Sequence, residues 1–207
     1  MNDLVGAEGH FNYWPSVIDL LASALLVFLL LTYVQSTLRV EDLSVLAMKQ
    51  RKSQFVEALK RSFGPELRQR NVEYDDGEVN SVLIRFADNV LFETGDYRLG
   101  GSGRQLIIKF RRFLNTNYAG INEIEVGGHT DSEPYPDGDT TFPTNNWDLS
   151  GARAAEVVYV LSSGAPGFDR DLLSANAYAD NRPRSNIDRQ NRRVEVRVIF
   201  SSRERPR

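Results

Sequence analysis

The stretch from Val17 to Val34 is apolar apart from Asp19, Ser23 and Thr32. A helix needs roughly 20 mostly apolar residues to cross about 30 Å of hydrocarbon, and this run is long enough. Trp14 and Tyr33 stand at its two ends, where interfacial aromatic residues belong. The first 13 residues contain no Lys or Arg, and no A-x-A cleavage site follows the run. Those features favour an uncleaved single-pass anchor over a signal peptide. The expected organisation is a short tail at 1–13, a transmembrane helix at 14–34, a linker at 35–78, a folded domain at 79–200 and a tail at 201–207.

Asp19 is the residue that such a helix has to justify. A carboxylate deep in a bilayer costs about 2.5–3.5 kcal/mol on insertion scales and usually marks an ion or proton path. Asp19 lies five residues after Trp14, about 7.5 Å of helix rise, so an interfacial position is the alternative. Orientation by charge is plain. Arg39, Lys49, Arg51 and Lys52 follow the run and none precedes it, which places the C-terminal part in the cytoplasm.

Composition excludes several chemistries. The 207 residues carry a net charge of −3, so no global basic field invites nucleic acid. There is no cysteine, hence no disulfide, thiolate metal site or cysteine nucleophile. His10 and His129 are the only histidines, too few and too far apart for a His-based metal site. No G-x-S-x-G elbow accompanies His129, and "GGSGR" at Gly100 to Arg104 lacks the Lys-Ser/Thr of a phosphate loop. No enzyme and no cofactor are expected.

After the apolar run, Leu38, Leu43, Leu46, Phe55, Val56, Leu59 and Phe63 give an amphipathic helix whose heptads are broken at Lys49 and Lys52. A short dimer contact or a surface-lying helix are the two readings. "SFGPEL" ends it, and "NVEYDDGEVN" reads as a loop or hairpin entry. From Val79, strand-like "VNSVLIRF", "INEIEVGG", "LLSANAYA" and "RRVEVRVIF" alternate with helical stretches from Ser102 and from about Asn146. "DNVLFETGDYRL" reads as a short extended piece and a turn. The pattern predicts a two-layer α/β sandwich, a mixed sheet with helices on one face.

The loop after "VGGHTD" carries the best chemistry. Asp131 stands at its start, and Arg153 lies on the second turn of the helix that closes it. Asp131 can accept from an ammonium, and Arg153 offers a bidentate fork to a carboxylate near a helix N-terminus. The two form either a receptor for a zwitterionic carbon or a plain salt bridge holding the loop.

"VGGHTD", "NNWDLSGARAAEVVYVL" and "NRRVEVRVIF", with "DNVLFETGDYRL" upstream, resemble the OmpA-like peptidoglycan-binding domain over roughly Val79 to Phe200. The resemblance implies that Asp131 and Arg153 grip the diaminopimelate of a stem peptide, helped by Thr130, Asn146, Leu149 and Arg193. It also implies a periplasmic domain, against the charge rule. The longer loop with "EPY" and the Asp in "DLLASALLVFLLLTYV" resemble flagellar stator B subunits of the MotB type. The wider group includes ZorB of the anti-phage Zorya motor. By that resemblance Asp19 carries the transported H+ or Na+. The chain then forms a homodimer inside a pentamer of A-type multi-span membrane subunits, in the inner membrane. The helix from Leu38 to Phe63 would stand in the place of the plug. The short chain, its non-basic tail and its brief linker depart from the flagellar pattern.

Overall fold

A computed structural model describes residues 13–133 and 142–202, with the backbone alone at 38–42. The tail at 1–12, most of the "EPY" loop and residues 203–207 lie outside the described residues. The chain divides into two compact units, Met1–Ser44 and Val45–Arg207. The helix α1, Trp14–Ser62, contributes to both.

In the first unit, Trp14–Thr37 is long and apolar enough to cross a membrane, with a mean hydropathy of 2.4. Asp19 lies within it, and its leucines and Phe28 are exposed in the isolated chain.

In the second unit, the elements after α1 are α2 (Gly64–Arg68), β1 (Val72–Asp75), β2 (Ser81–Ala87), α3 (Asp88–Leu91) and α4 (Gly101–Thr116). Then come β3 (Ile121–His129), α5 (Asn146–Ser162), β4 (Leu173–Ala177), α6 (Asp188–Asn191) and β5 (Arg193–Phe200). The strands form one mixed sheet in the order β1-β2-β5-β3-β4, parallel only between β3 and β4. Alternation sorts each strand onto two faces. Val82, Ile84, Phe86, Ile124, Val126, Val194, Val196 and Val198 are buried in the core with Ile107, Phe110 and Leu114 of α4 and Ala154, Val157 and Leu161 of α5. The other face is polar, laced by Arg85, Glu125, Glu195 and Arg197.

The compact unit starts well before Val79. Phe55 meets Phe113 and Phe200 edge-on at 4.9 and 5.3 Å, and Phe63 meets Phe113 at 5.6 Å. The C-terminal half of the stripe read as a dimer contact or a surface helix is therefore part of the core, with Phe55, Val56, Leu59 and Phe63 all buried, while Leu43 and Leu46 are exposed. Lys52, which breaks the heptads, sends Nζ to the carbonyls of Asp76 (2.6 Å) and Glu78. It fastens α1 to the turn between β1 and β2, where the hairpin alternative for "NVEYDDGEVN" is the one formed.

Candidate functional site

A cleft of about 650 Å3 opens at the end of the sheet where β3 runs out. Among the described residues, Asp88, Phe92, Gly100 to Ser102, Thr130, Asp131, Asn146, Leu149, Arg153, Arg189 and Arg192 are on its walls. Five of the sequence-selected residues meet there: Thr130, Asp131, Asn146, Leu149 and Arg153. Arg193 does not. Its side chain is buried on Glu195 (2.8 Å) and on the carbonyls of Asn191 (2.9 Å) and Arg182 (3.1 Å). Its neighbour Arg192 faces the cleft instead.

Local sequence sets this geometry. Gly128 has no side chain because the backbone of Ser150 on α5 presses against it, and a methyl there would fall on the Ser150 carbonyl. Helix and strand therefore touch backbone to backbone, and Arg153 follows one turn later. Ser150 Oγ accepts from the Ala179 amide at 3.1 Å, and the Thr130 amide donates to the Ala179 carbonyl at 2.9 Å. The start of α5 is capped reciprocally. Asn145 accepts from the Asp148 amide at 2.9 Å, and Asp148 accepts from the amide and hydroxyl of Thr144 at 3.1 and 2.6 Å. Asn146 Nδ2 donates to the Glu133 carbonyl at 3.0 Å and that of Asp131 at 3.5 Å, tying α5 to the chain after β3.

Asp131 and Arg153 do not pair with each other. Arg153, 2% exposed, puts Nη1 2.8 Å from Asp88 Oδ1, sends Nε to the Asp96 carbonyl at 3.0 Å and lies 4.9 Å over the Phe92 ring. Asp131, 6% exposed, takes Arg192 on Oδ2. The plain loop-holding salt bridge is thus not what the residues make. Burial pushes the Asp88 carboxyl above its ordinary range, and burial likewise lowers the Arg153 guanidinium, which stays charged. Thr130 Oγ1 is buried without a hydrogen-bond partner, as is Asp88 Oδ1, whose contact with Arg153 lies off the hydrogen-bond direction. A cleft with a fixed buried guanidinium, an accepting carboxylate and an unsatisfied hydroxyl has bonding capacity left for a ligand.

The sequence reading did not pick out Asp88, Arg192 or Arg189. Asp88 was within sight, since it opens "DNVLFETGDYRL", but that stretch reads as extended, whereas Asp88–Leu91 is a helical turn. His129 is buried beneath the Tyr178 ring, 5.0 Å between centroids, on the polar side of the sheet. Among the described residues no group of three or more His, Asp or Glu is gathered as metal ligands would be.

The OmpA family matches residues 91–197, more than half of the chain, and the chain belongs to that family. It is 32% identical over 127 residues to YtxE, an uncharacterized protein of Bacillus subtilis (strain 168); the match takes in 59% of this chain and 49% of that protein, about half its length. Among solved structures, a putative MotB-like protein from Desulfovibrio vulgaris superposes with a TM-score of 0.65 at 19% identity, covering 75% of this chain and 98% of its own. The cell wall anchor of the T6SS from Pseudomonas aeruginosa gives 0.57 at 26% identity, covering 69% and 97%. The periplasmic domain of Helicobacter pylori MotB (residues 78–256) gives 0.51 at 20% identity, covering 61% and 80%. The fold is one that MotB-like proteins share.

Proposed function

We propose that the chain is a wall-anchored inner-membrane protein, with the Trp14–Thr37 helix crossing the membrane and the second unit holding peptidoglycan from the periplasmic side. The observation that carries this reading is the cleft between Asp131 and Arg153. Asp131 would take the ammonium of a diaminopimelate centre and Arg153 its carboxylate, with Thr130, Asn146 and Leu149 around them. The likeness to a cell wall anchor supports the same reading. The charge rule weighs less once Lys49, Arg51 and Lys52 fall inside the folded unit, since whole domains translocate largely regardless of charge.

In its fuller form the proposal is a B subunit of an ion-driven motor. Asp19 loads and releases H+ or Na+ beside an A-type multi-span partner, in a homodimer, while the wall-bound domain supplies the fixed point. The load is a flagellar rotor or a Zorya-type defence complex. An acidic residue inside the apolar helix supports this, because a mere tether has no use for its insertion cost. The second reading is a passive tether. It is favoured by the T6SS anchor, which shares more sequence with this chain than the MotB-like structures do.

Asp19→Asn, expressed with the neighbouring genes, separates the two. Loss of ion-driven activity with membrane insertion and wall co-sedimentation intact supports the motor. An unchanged phenotype leaves the tether. Asp131→Ala should abolish wall co-sedimentation in either case, and retention of binding would sink both readings.

A further inference from the structure

Beside the cleft lies a second cavity, of about 470 Å3, walled by Arg70, Arg85, Arg184, Arg189, Arg192 and Arg193, with Glu73 its one acidic wall residue among the described residues. Internal carboxylates do not account for all of this charge. Arg85 and Arg193 converge on Glu195 at 3.2 and 2.8 Å, and Arg184 holds Glu73 at 2.5 Å. Arg192 is on Asp131. Arg70 and Arg189 have no ion pair among the described residues.

Arg70 carries an independent signal. Its φ is +58°, and it closes α2 with its amide on the Leu67 carbonyl (3.2 Å), followed by the Asn71 amide on Glu66 (3.0 Å). This left-handed closing position favours glycine. An arginine there sets a guanidinium at the cavity wall against the backbone's preference. Guanidinium forks are the usual receptors for planar oxyanions.

The cavity adjoins the cleft across shared walls. Asn89, Arg189 and Arg192 line both. We propose that the arginine cavity is a second subsite that receives a carboxylate of the same acidic peptide, one residue along from the zwitterionic centre held by Asp131 and Arg153. The inference rests on the proposed wall binding. Adjacency favours one peptide over a separate phosphate-bearing polymer, because Asn89, Arg189 and Arg192 wall both sites and a second group of the same ligand lies within their reach. In peptidoglycan the group in that place is the free carboxylate of the glutamyl residue that precedes diaminopimelate. Amidation of this group would then weaken the grip.

The test is calorimetric titration of the full chain in detergent micelles with three probes. They are diaminopimelate alone, the tripeptide Ala-Glu-diaminopimelate, and the same tripeptide with the glutamyl carboxylate amidated. The wild type should bind the free-acid tripeptide about tenfold tighter than the amidated one, the size of one charge-assisted contact. An Arg70→Gly, Arg184→Gln variant should erase that difference and leave diaminopimelate binding unchanged. Arg70→Gly suits the local backbone, so misfolding does not mimic the result. Equal affinity of the wild type for both tripeptides overturns the subsite, as does equal weakening of all three probes by the variant. Binding of inorganic phosphate that the variant loses, with no effect of amidation, would reassign the cavity to another oxyanion and also overturn it. If diaminopimelate itself fails to bind the wild type, the proposed wall binding falls, and this inference with it.

Discussion

Asp88 and Glu195 are both mostly hidden carboxylates beside arginines, one in the cleft and one on the polar face of the sheet, yet their surroundings push them in opposite directions. Burial raises Asp88, with Asp131 adding to it, and the charges of Arg153 and Arg192 do not overcome this. Burial also acts to raise Glu195, but contacts from His129 (3.3 Å) and Arg193 (2.8 Å) outweigh it and hold the carboxyl far below its ordinary range. Arg85 adds a third contact at 3.2 Å. The difference is one of satisfaction. Glu195 takes two guanidinium hydrogen bonds on Oε1, from Arg85 and Arg193, with His129 beside Oε2, and serves the fold. Asp88 Oδ1 meets the Arg153 guanidinium off-axis and is left without a hydrogen-bond partner.

Removing Arg153 should break the comparison most severely. Arg153→Ala leaves Asp88 buried and uncompensated, and about 3–5 kcal/mol of stability should disappear in urea unfolding, together with wall binding. Glu195→Gln should cost about 1–3 kcal/mol near neutral pH. Because the folded-state pKa of Glu195 is depressed, its contribution is present above the ordinary glutamate value of about 4.3 and is lost as pH falls through the lower folded value. The gap between wild type and variant should therefore narrow in acid. Asp131→Asn should cost about 1 kcal/mol of stability or less, since its partner Arg192 is 38% exposed, while wall co-sedimentation is lost. A large stability loss would make Asp131 a structural residue. The smallest effect is the pH course of Asp88→Asn. The folded-state pKa of Asp88 is raised, so its contribution is fully present below the ordinary value of about 3.9 and is lost as pH rises through the folded one. Acidification should shift the wild-type-minus-variant difference toward the wild type, opposite in sign to Glu195.

The sheet and the two long helices of the second unit were legible because their periods are clean. The α4 face through Leu106, Ile107, Phe110, Phe113 and Leu114 is buried as its spacing predicts. What escaped was decided by tertiary contact. The stripe through Phe55, Leu59 and Phe63 looks the same whether it faces a second helix, a membrane surface or a core, and only the aromatic partners on α4 and β5 distinguish them. Asp131 and Arg153 could be selected because helix start and strand end announce themselves. Asp88 and Arg192 could not, since nothing local says which carboxylate holds which guanidinium. At "NRRVEV", the adjacent arginines take different partners, Arg192 on Asp131 and Arg193 on Glu195. The resemblance alone selects Arg193, while the cleft takes Arg192.

The contact of Gly128 with Ser150 has one more consequence. By letting backbone meet backbone, it removes the side-chain cushion that elsewhere allows a helix to shift over a sheet. Asp131, Arg153 and Leu149 are thereby three points at set separations around one concave site. A receptor fixed at three unlike points is handed: it can seat a tetrahedral carbon in one configuration and must reject its mirror image. On the proposed wall binding, a glycine without a side chain of its own would thus let this cleft tell a D centre from an L one.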